Sequence, residues 1–255
     1  MARGMVSSPQ GRGIIFGTDI HTGEVVRRTV AEITHMLVMG TPGFGKSVFL
    51  HQLISQLVGR PDVERLFLVD LKGGVEFLAY EDRGASVRVV WQFEDVVAIV
   101  DELLELMNRR LRQMRELRQR NWTGPRLFFI VDEFAQIQLW PAVNKTEKER
   151  HARLIANLNK LSMLGRAVGV VLVAAIQKAT TDVMDSSFRT NLQGQVCFRV
   201  ANRLMAASMF GSTEELPRNP GLDPVSLPKG RCIFFDPAAG EIRYLQVHVA
   251  PEAVG

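Results

Sequence analysis

The chain has 255 residues, 46% hydrophobic and 23% charged, which is enough apolar material for one large α/β domain with small appendages. Its two cysteines, Cys197 and Cys232, form no C-x-x-C pair, which argues against a disulfide framework or a zinc site and for a reducing, cytoplasmic setting. No apolar run approaches the roughly 18 residues of a bilayer span, "MARGMVSSPQGRG" has no signal-peptide core, and a net charge of +4 permits nucleic-acid binding without demanding it.

The first informative stretch is "THMLVMGTPGFGKSVFLHQLI", Thr34 to Ile54. "HMLVMG" reads as a buried strand and "SVFLHQLISQLV" as a helix. Between them Gly40, Gly45, Lys46 and Ser47 satisfy G-x-x-x-x-G-K-[ST]. Glycines at the bends let backbone N–H groups curl around phosphate oxygens, and the helix that follows adds its positive end. Gly40, Thr41, Pro42, Gly43, Phe44, Gly45, Lys46, Ser47 and Val48 are therefore the expected ATP-binding loop. Lys46 would reach the β and γ phosphates, and the Ser47 hydroxyl would hold Mg²⁺.

"RLFLVDLKGG" is a second apolar run, ending at Asp70 and Lys72, which are either functional or an ordinary strand-end cluster. "FEDVVAIVDELLELMNRRLRQMRELRQRN", Phe93 to Asn121, has apolar residues at helical spacing through Leu117, with acids early and arginines late. Arg109, Arg110, Arg112, Arg115, Arg118 and Arg120 make it the sharpest charge concentration in the chain. A solvated helix end explains it, and so does contact with DNA phosphate or with a neighbouring subunit.

"RLFFIVDEFAQI" supplies the acids that a nucleotide hydrolase needs: Asp132 for the magnesium shell and Glu133 to polarise the attacking water. "PAVNKTEKERHARL" begins as a polar loop and enters a helix. "VGVVLVAAIQK" runs apolar to Gln177, which would sense the γ-phosphate or orient the water. Ser212 to Gly230 is rich in proline and glycine and reads as an ordered surface loop, and "IFFDPAAGEIRYLQV" as a closing hairpin. Buried strands near 36–40, 66–70, 127–131 and 169–176, separated by helical stretches, give an α/β sheet with right-handed crossovers. The five histidines show no ligand spacing, so no metal beyond Mg²⁺ is expected.

Over roughly residues 14 to 249 the chain resembles the FtsK/SpoIIIE motor domain, within the FtsK–HerA group of P-loop ATPases. The matching pieces stand in the family's order: "GTDIHTGEVV", "HMLVMGTPGFGKSV", "LVDLKGGVEFLAY", "LLELMNRRL", "LFFIVDEFAQI", "LNKLSMLGRAVGVVLVAAIQK", "FRTNLQGQVCFRV" and "GRCIFF". The resemblance implies a RecA-like P-loop NTPase fold, a largely parallel central sheet flanked by helices, at 14–250 between tails at 1–13 and 251–255. It also implies a homo-hexameric ring that hydrolyses ATP and drives double-stranded DNA through its channel, in plasmid transfer, genome packaging or chromosome handling. A membrane or packaging protein would be a partner, with no stable insertion of this chain in the membrane.

By the same resemblance Gln177 falls on the family's strand-end glutamine, and a neighbour's arginine completes the site. Arg166 is the first candidate for that arginine and Arg189 the second. The chain departs from the family at "AIQKAT" and at "NRLMAAS", where an acid, a serine and an arginine are usual; only Arg203 is available there as a substitute. No winged-helix extension and no anchor are expected. Type VII secretion ATPases share the fold and motifs, so a protein-translocating ATPase is the alternative.

Overall fold

The computed structural model describes residues 13–177, 184–212, 214 and 216–250. One ten-stranded sheet organises them. In chain order its strands are β1 (Ile14–Asp19), β2 (Val25–Arg28), β3 (Met36–Met39), β4 (Val63–Val69), β5 (Val87–Val90), β6 (Arg126–Val131), β7 (Val170–Ile176), β8 (Gly194–Cys197), β9 (Arg231–Asp236) and β10 (Glu241–Gln246). The spatial order is β2-β1-β10-β9-β8-β3-β7-β6-β4-β5.

From β8 to β5 every pairing is parallel; from β2 to β8 every pairing is antiparallel. The parallel half is the sheet expected from the four apolar runs. Helices cover both faces of a parallel sheet, so its strands are apolar throughout, and all seven residues of β7 are buried. The expected C-terminal hairpin is β9–β10. It belongs to an antiparallel extension in which β1 and β2 also take part.

Alternation along the strands divides the core in two. Leu37 and Met39 of β3 face one side with Phe129, Val131, Leu172 and Ala174. That side is covered by α2 (Phe93–Glu116) and α4 (Lys145–Leu164), which pack on each other. Met36 and Val38 face the other side with Phe128, Ile130 and Val173, under α1 (Lys46–Leu57). Short helices α3 (Ala135–Gln138), α5 (Ser186–Asn191) and α6 (Arg203–Phe210) complete the set. The polar stretch before α4 ends in a cap: the Asn144 side chain accepts the Glu147 N–H at 2.9 Å, and the Glu147 carboxylate accepts from Val143 N–H at 2.9 Å.

The long helix ends at Glu116 with Leu117 as its C-cap, where the apolar spacing also ends, and Arg118 takes a left-handed φ of 53°. The loop after α6 is not purely a surface feature, since Leu216 and Leu227 are buried in the core beside Asp223. Among the described residues no helix is long and apolar enough to cross a membrane.

Candidate nucleotide site

The loop between β3 and α1 sits at the carboxyl ends of the parallel strands, where open α/β sheets bind ligands. β7 lies between the phosphate-loop strand β3 and the acid-bearing strand β6. The loop is held from two sides. The Arg199 carbonyl, just past β8, accepts from Thr41 N–H at 2.8 Å and from its hydroxyl at 3.1 Å. Gly230, just before β9, donates its N–H to Phe44 O at 3.0 Å, and the Arg199 guanidinium stacks 4.9 Å from the Phe44 ring centroid.

Gly45 has φ 122°, and a Cβ there would lie 2.8 Å from Phe198 Cε1. At Gly40 a Cβ would lie 2.7 Å from Phe198 Cβ. No larger residue fits either place without displacing Phe198. The first turn of α1 has no side-chain cap and no acid, so its N–H groups are left for a ligand.

Beyond the loop opens a cavity of about 320 Å³ lined by Pro42, Gly43, Gly45, Lys46, Ser47 and Val48, and by side chains from four other segments. Thr41 and Phe44 shape the loop rather than line it. Lys46 is 8% exposed and its Nζ donates to Gly40 O at 2.6 Å. Burial lowers its pKa, opposed by the charges of Glu133 and Asp132.

Asp132 and Glu133 stand at the end of β6, and both are buried. Lys72 Nζ lies 3.6 Å from Asp132 Oδ2 and 3.4 Å from Glu133 Oε2, while Glu133 Oε1 has no hydrogen-bond partner among the described residues. Burial raises the Asp132 pKa, and Glu76 adds to the rise; Lys72 opposes it. Gln177, at the end of β7, lines the same cavity.

The structure separates Asp70 from Lys72. Asp70 is an organiser: its carboxylate accepts the N–H groups of Lys72 at 2.8 Å and Glu76 at 3.1 Å and so shapes the 71–76 loop. Lys72 faces the acids. Two lining residues escaped the sequence reading, Glu76 and Lys229. His51 Nε2 lies 3.3 Å from Glu76 Oε1, and His51 Nδ1 lies 2.9 Å from Tyr80 Oη. Hydrogen bonding to His51 lowers the Glu76 pKa against the effect of burial, and a bond with the Ser47 hydroxyl helps. The glycine pair in "LKGGVE" hinted at a loop here, but nothing in the sequence marked "LPKG" as part of the site.

Among the described residues no group of three or more His, Cys, Asp and Glu side chains forms a metal cage. Magnesium at a nucleotide needs none, because it takes one or two carboxylates and completes its shell with phosphate oxygens and water. The donor set fits that habit: Ser47 lines the same cavity as Asp132, whose charge is disfavoured by burial and by the neighbouring acids Glu76, Asp70 and Glu133.

The candidate arginines lie elsewhere. Arg166 is in the 3₁₀ turn Gly165–Val168 before β7, at the opposite end of the strand from Gln177. Seven residues of strand put it about 23 Å from its own nucleotide cavity. Arg189 is on α5. Arg203 is committed to Asp223 Oδ2 at 2.7 Å and to the carbonyls of Leu216 at 2.7 Å and Pro217 at 3.0 Å. The departure at "AIQKAT" begins at Lys178, and residues 178–183 lie outside the described residues, as do both tails.

The FtsK/SpoIIIE family profile matches residues 7–126, which includes the phosphate loop. A DNA translocase FtsK of Corynebacterium glutamicum is 27% identical over 96% of this chain. Both matches support an FtsK/SpoIIIE-type motor domain. It spans 27% of that relative's length. The chain is also 27% identical to the ESX-1 secretion system protein EccCa1 of Mycobacterium tuberculosis, over 79% of this chain and 30% of that protein. The pCW3 conjugation coupling protein TcpA, in its monomer form with ATPγS, shares the fold at a TM-score of 0.79 and 22% identity, over 94% of this chain and 67% of that one. The chain thus shares the fold of that coupling protein and carries the phosphate-loop geometry of P-loop proteins.

Proposed function

We propose that residues 14–250 form a motor domain that hydrolyses ATP, assembles into a homo-hexameric ring and drives double-stranded DNA. One observation carries this reading: Lys46 and Ser47 from the phosphate loop converge with Asp132 on a single cavity, and Glu133 follows it on the same strand. The loop amides and Lys46 would hold the β and γ phosphates, the ammonium exchanging the Gly40 carbonyl for phosphate oxygen. Ser47 and Asp132 would hold Mg²⁺, which when bound neutralises charge on the phosphates. Glu133, with Oε1 free of any partner among the described residues, would accept the proton of the attacking water, and Gln177 would orient that water. Arg166 is too far to serve its own nucleotide and would act on a neighbour's; Arg189 is second in line.

DNA as the cargo is supported by the similarity to DNA translocase FtsK. The similarity to EccCa1 supports a second reading, a protein-moving ATPase. Hydrolysis measured against duplex DNA of increasing length separates them. The first reading expects stimulation that grows with length until a ring footprint is filled, and a hexamer in the presence of nucleotide. Indifference to DNA combined with stimulation by a secretion-signal peptide would replace it by the second.

A further inference from the structure

A second cavity, of about 560 Å³, lies at the amino ends of β3, β6 and β7, the end of the sheet opposite the nucleotide cavity. Arg126, Arg166, His35, Asn121, Asn191 and Gln193 line it, and no lining residue is acidic. Arg126, the first residue of β6, is half-buried. Its one side-chain hydrogen bond among the described residues is a long one, Nη1 to Ile33 O at 3.5 Å. Burial lowers its pKa, and the nearby charges of Arg166 and Arg110 do the same. Arg166 donates to Gln193 Oε1 at 2.7 Å, an uncharged acceptor. The acid nearest in sequence, Glu32, is turned to the N–H and hydroxyl of Thr29.

His35 completes the set. It is 2% exposed, and its Nδ1 accepts the Leu172 N–H at 2.9 Å. A neutral imidazole that accepts at Nδ1 carries its proton on Nε2. Among the described residues that donor has no hydrogen-bond partner, and the Leu161 backbone lies near the ring. Two guanidiniums and an N–H donor thus meet with no counter-ion among the described residues. Like charges gathered this way are unfavourable unless an acceptor-only group joins them.

We infer that this cavity binds a phosphate group. Planar guanidinium forks take phosphate oxygens in pairs, and two forks supply more donors than one carboxylate can accept. The arginine-rich end of α2 leads into the cavity at Asn121. The phosphate is therefore that of a DNA backbone or of a free nucleotide. The inference holds whether or not the chain hydrolyses ATP. It is also distinct from an arginine reaching to a neighbour's nucleotide, because recessed Arg126 and His35 have no part in that.

The test uses the full chain in a Lys46→Ala background, which disables the first site. Calorimetric titrations at constant ionic strength would use inorganic phosphate, ATP, a short DNA duplex and a poly-glutamate peptide. At least one phosphate-bearing probe should bind, and Arg126→Met and Arg166→Met should each weaken it about tenfold or more. Binding by duplex alone assigns the DNA backbone; binding by phosphate and ATP assigns a nucleotide. Arg166 is exposed, so its variant reads the site even where Arg126→Met fails to fold. Lack of binding by every phosphate probe, affinities unmoved by the substitutions, or poly-glutamate binding as tightly as phosphate would overturn the inference.

Discussion

Replacing Glu133 by glutamine tests the chemistry at its most exposed point. The side chain is 7% exposed, one oxygen is unpartnered among the described residues and the other lies 3.4 Å from Lys72, so an amide fits with no change of volume. Only basicity is lost. A positioned general base contributes about 10²–10⁴-fold, or about 3–5 kcal/mol of barrier. Lys46 loses the leading carboxylate that favours its charged form, yet a bound triphosphate supplies more negative charge than was removed. Nucleotide affinity should therefore stay within about tenfold, since the phosphate contacts of the loop amides and Lys46 are all retained. Single-turnover hydrolysis with enzyme in excess, equilibrium binding of a fluorescent ATP analogue and a thermal melt read the three quantities separately. A variant that turns over within about threefold of the parent would remove Glu133 as the base, since that is far below the contribution a base makes. A variant that folds but no longer binds ATP would make Glu133 part of the binding site instead.

The arginines of α2 should divide by burial. Arg110 donates to Val168 O at 2.7 Å and pairs with Glu64 at 2.5 Å, with its guanidinium 4.3 Å from the Trp122 ring centroid. Arg110→Met should cost about 2–4 kcal/mol, less than a fully buried pair because the Glu64 side chain can return to water, and denaturant titration checks it. Arg112, Arg115 and Arg118 are exposed, so glutamate at all three should leave stability within about 1 kcal/mol. If they meet DNA, the slope of log affinity against log salt should flatten by about 2.7, as read by titrations at several salt concentrations. Acid should also act through His35, whose pKa burial lowers to about 4. The unfolded chain takes up this proton near pH 6.5 and the folded one only near 4, so stability present at neutral pH is lost on going down through that window. Between pH 6.5 and 5 the loss should be about 2 kcal/mol, and His35→Gln should flatten it; equal slopes in both proteins would count against a neutral buried imidazole.

The legible part of the fold was the part buried on both faces. Strands β3, β4, β6 and β7 show as continuous apolar runs because helices cover them above and below. β1, β2 and β5 carry glycine, threonine, aspartate or arginine among their apolar residues, so their pattern is that of many loops. At the site, the phosphate loop and the strand-end acids were readable because each lies within one local motif. Glu76 and Lys229 were not, since their place depends on a loop shaped by Asp70 and on a turn held to Phe44. Arg110 is a different case. Val96, Val100, Leu103, Met107 and Met114 form the buried stripe of α2, and Arg110 falls between the last two at helical spacing. Its structural role was visible in the period of the helix, and the surrounding arginines hid it.

The same contacts suggest how nucleotide state reaches the rest of the sheet. Phosphate entering the cradle must take Lys46 from the Gly40 carbonyl, and Gly40 leads directly into Thr41, which is bonded to the strand end at Arg199. Phe44 ties the loop to Gly230, and hence to β9. Phe198 packs against both Gly40 and Gly45 at distances that leave no slack. A shift of the loop therefore bears on β8 and β9, the place where the parallel half of the sheet joins the antiparallel half. Packed interfaces change by discrete steps rather than by continuous bending. A shift of the loop on phosphate binding would thus be passed to the antiparallel strands through Phe198.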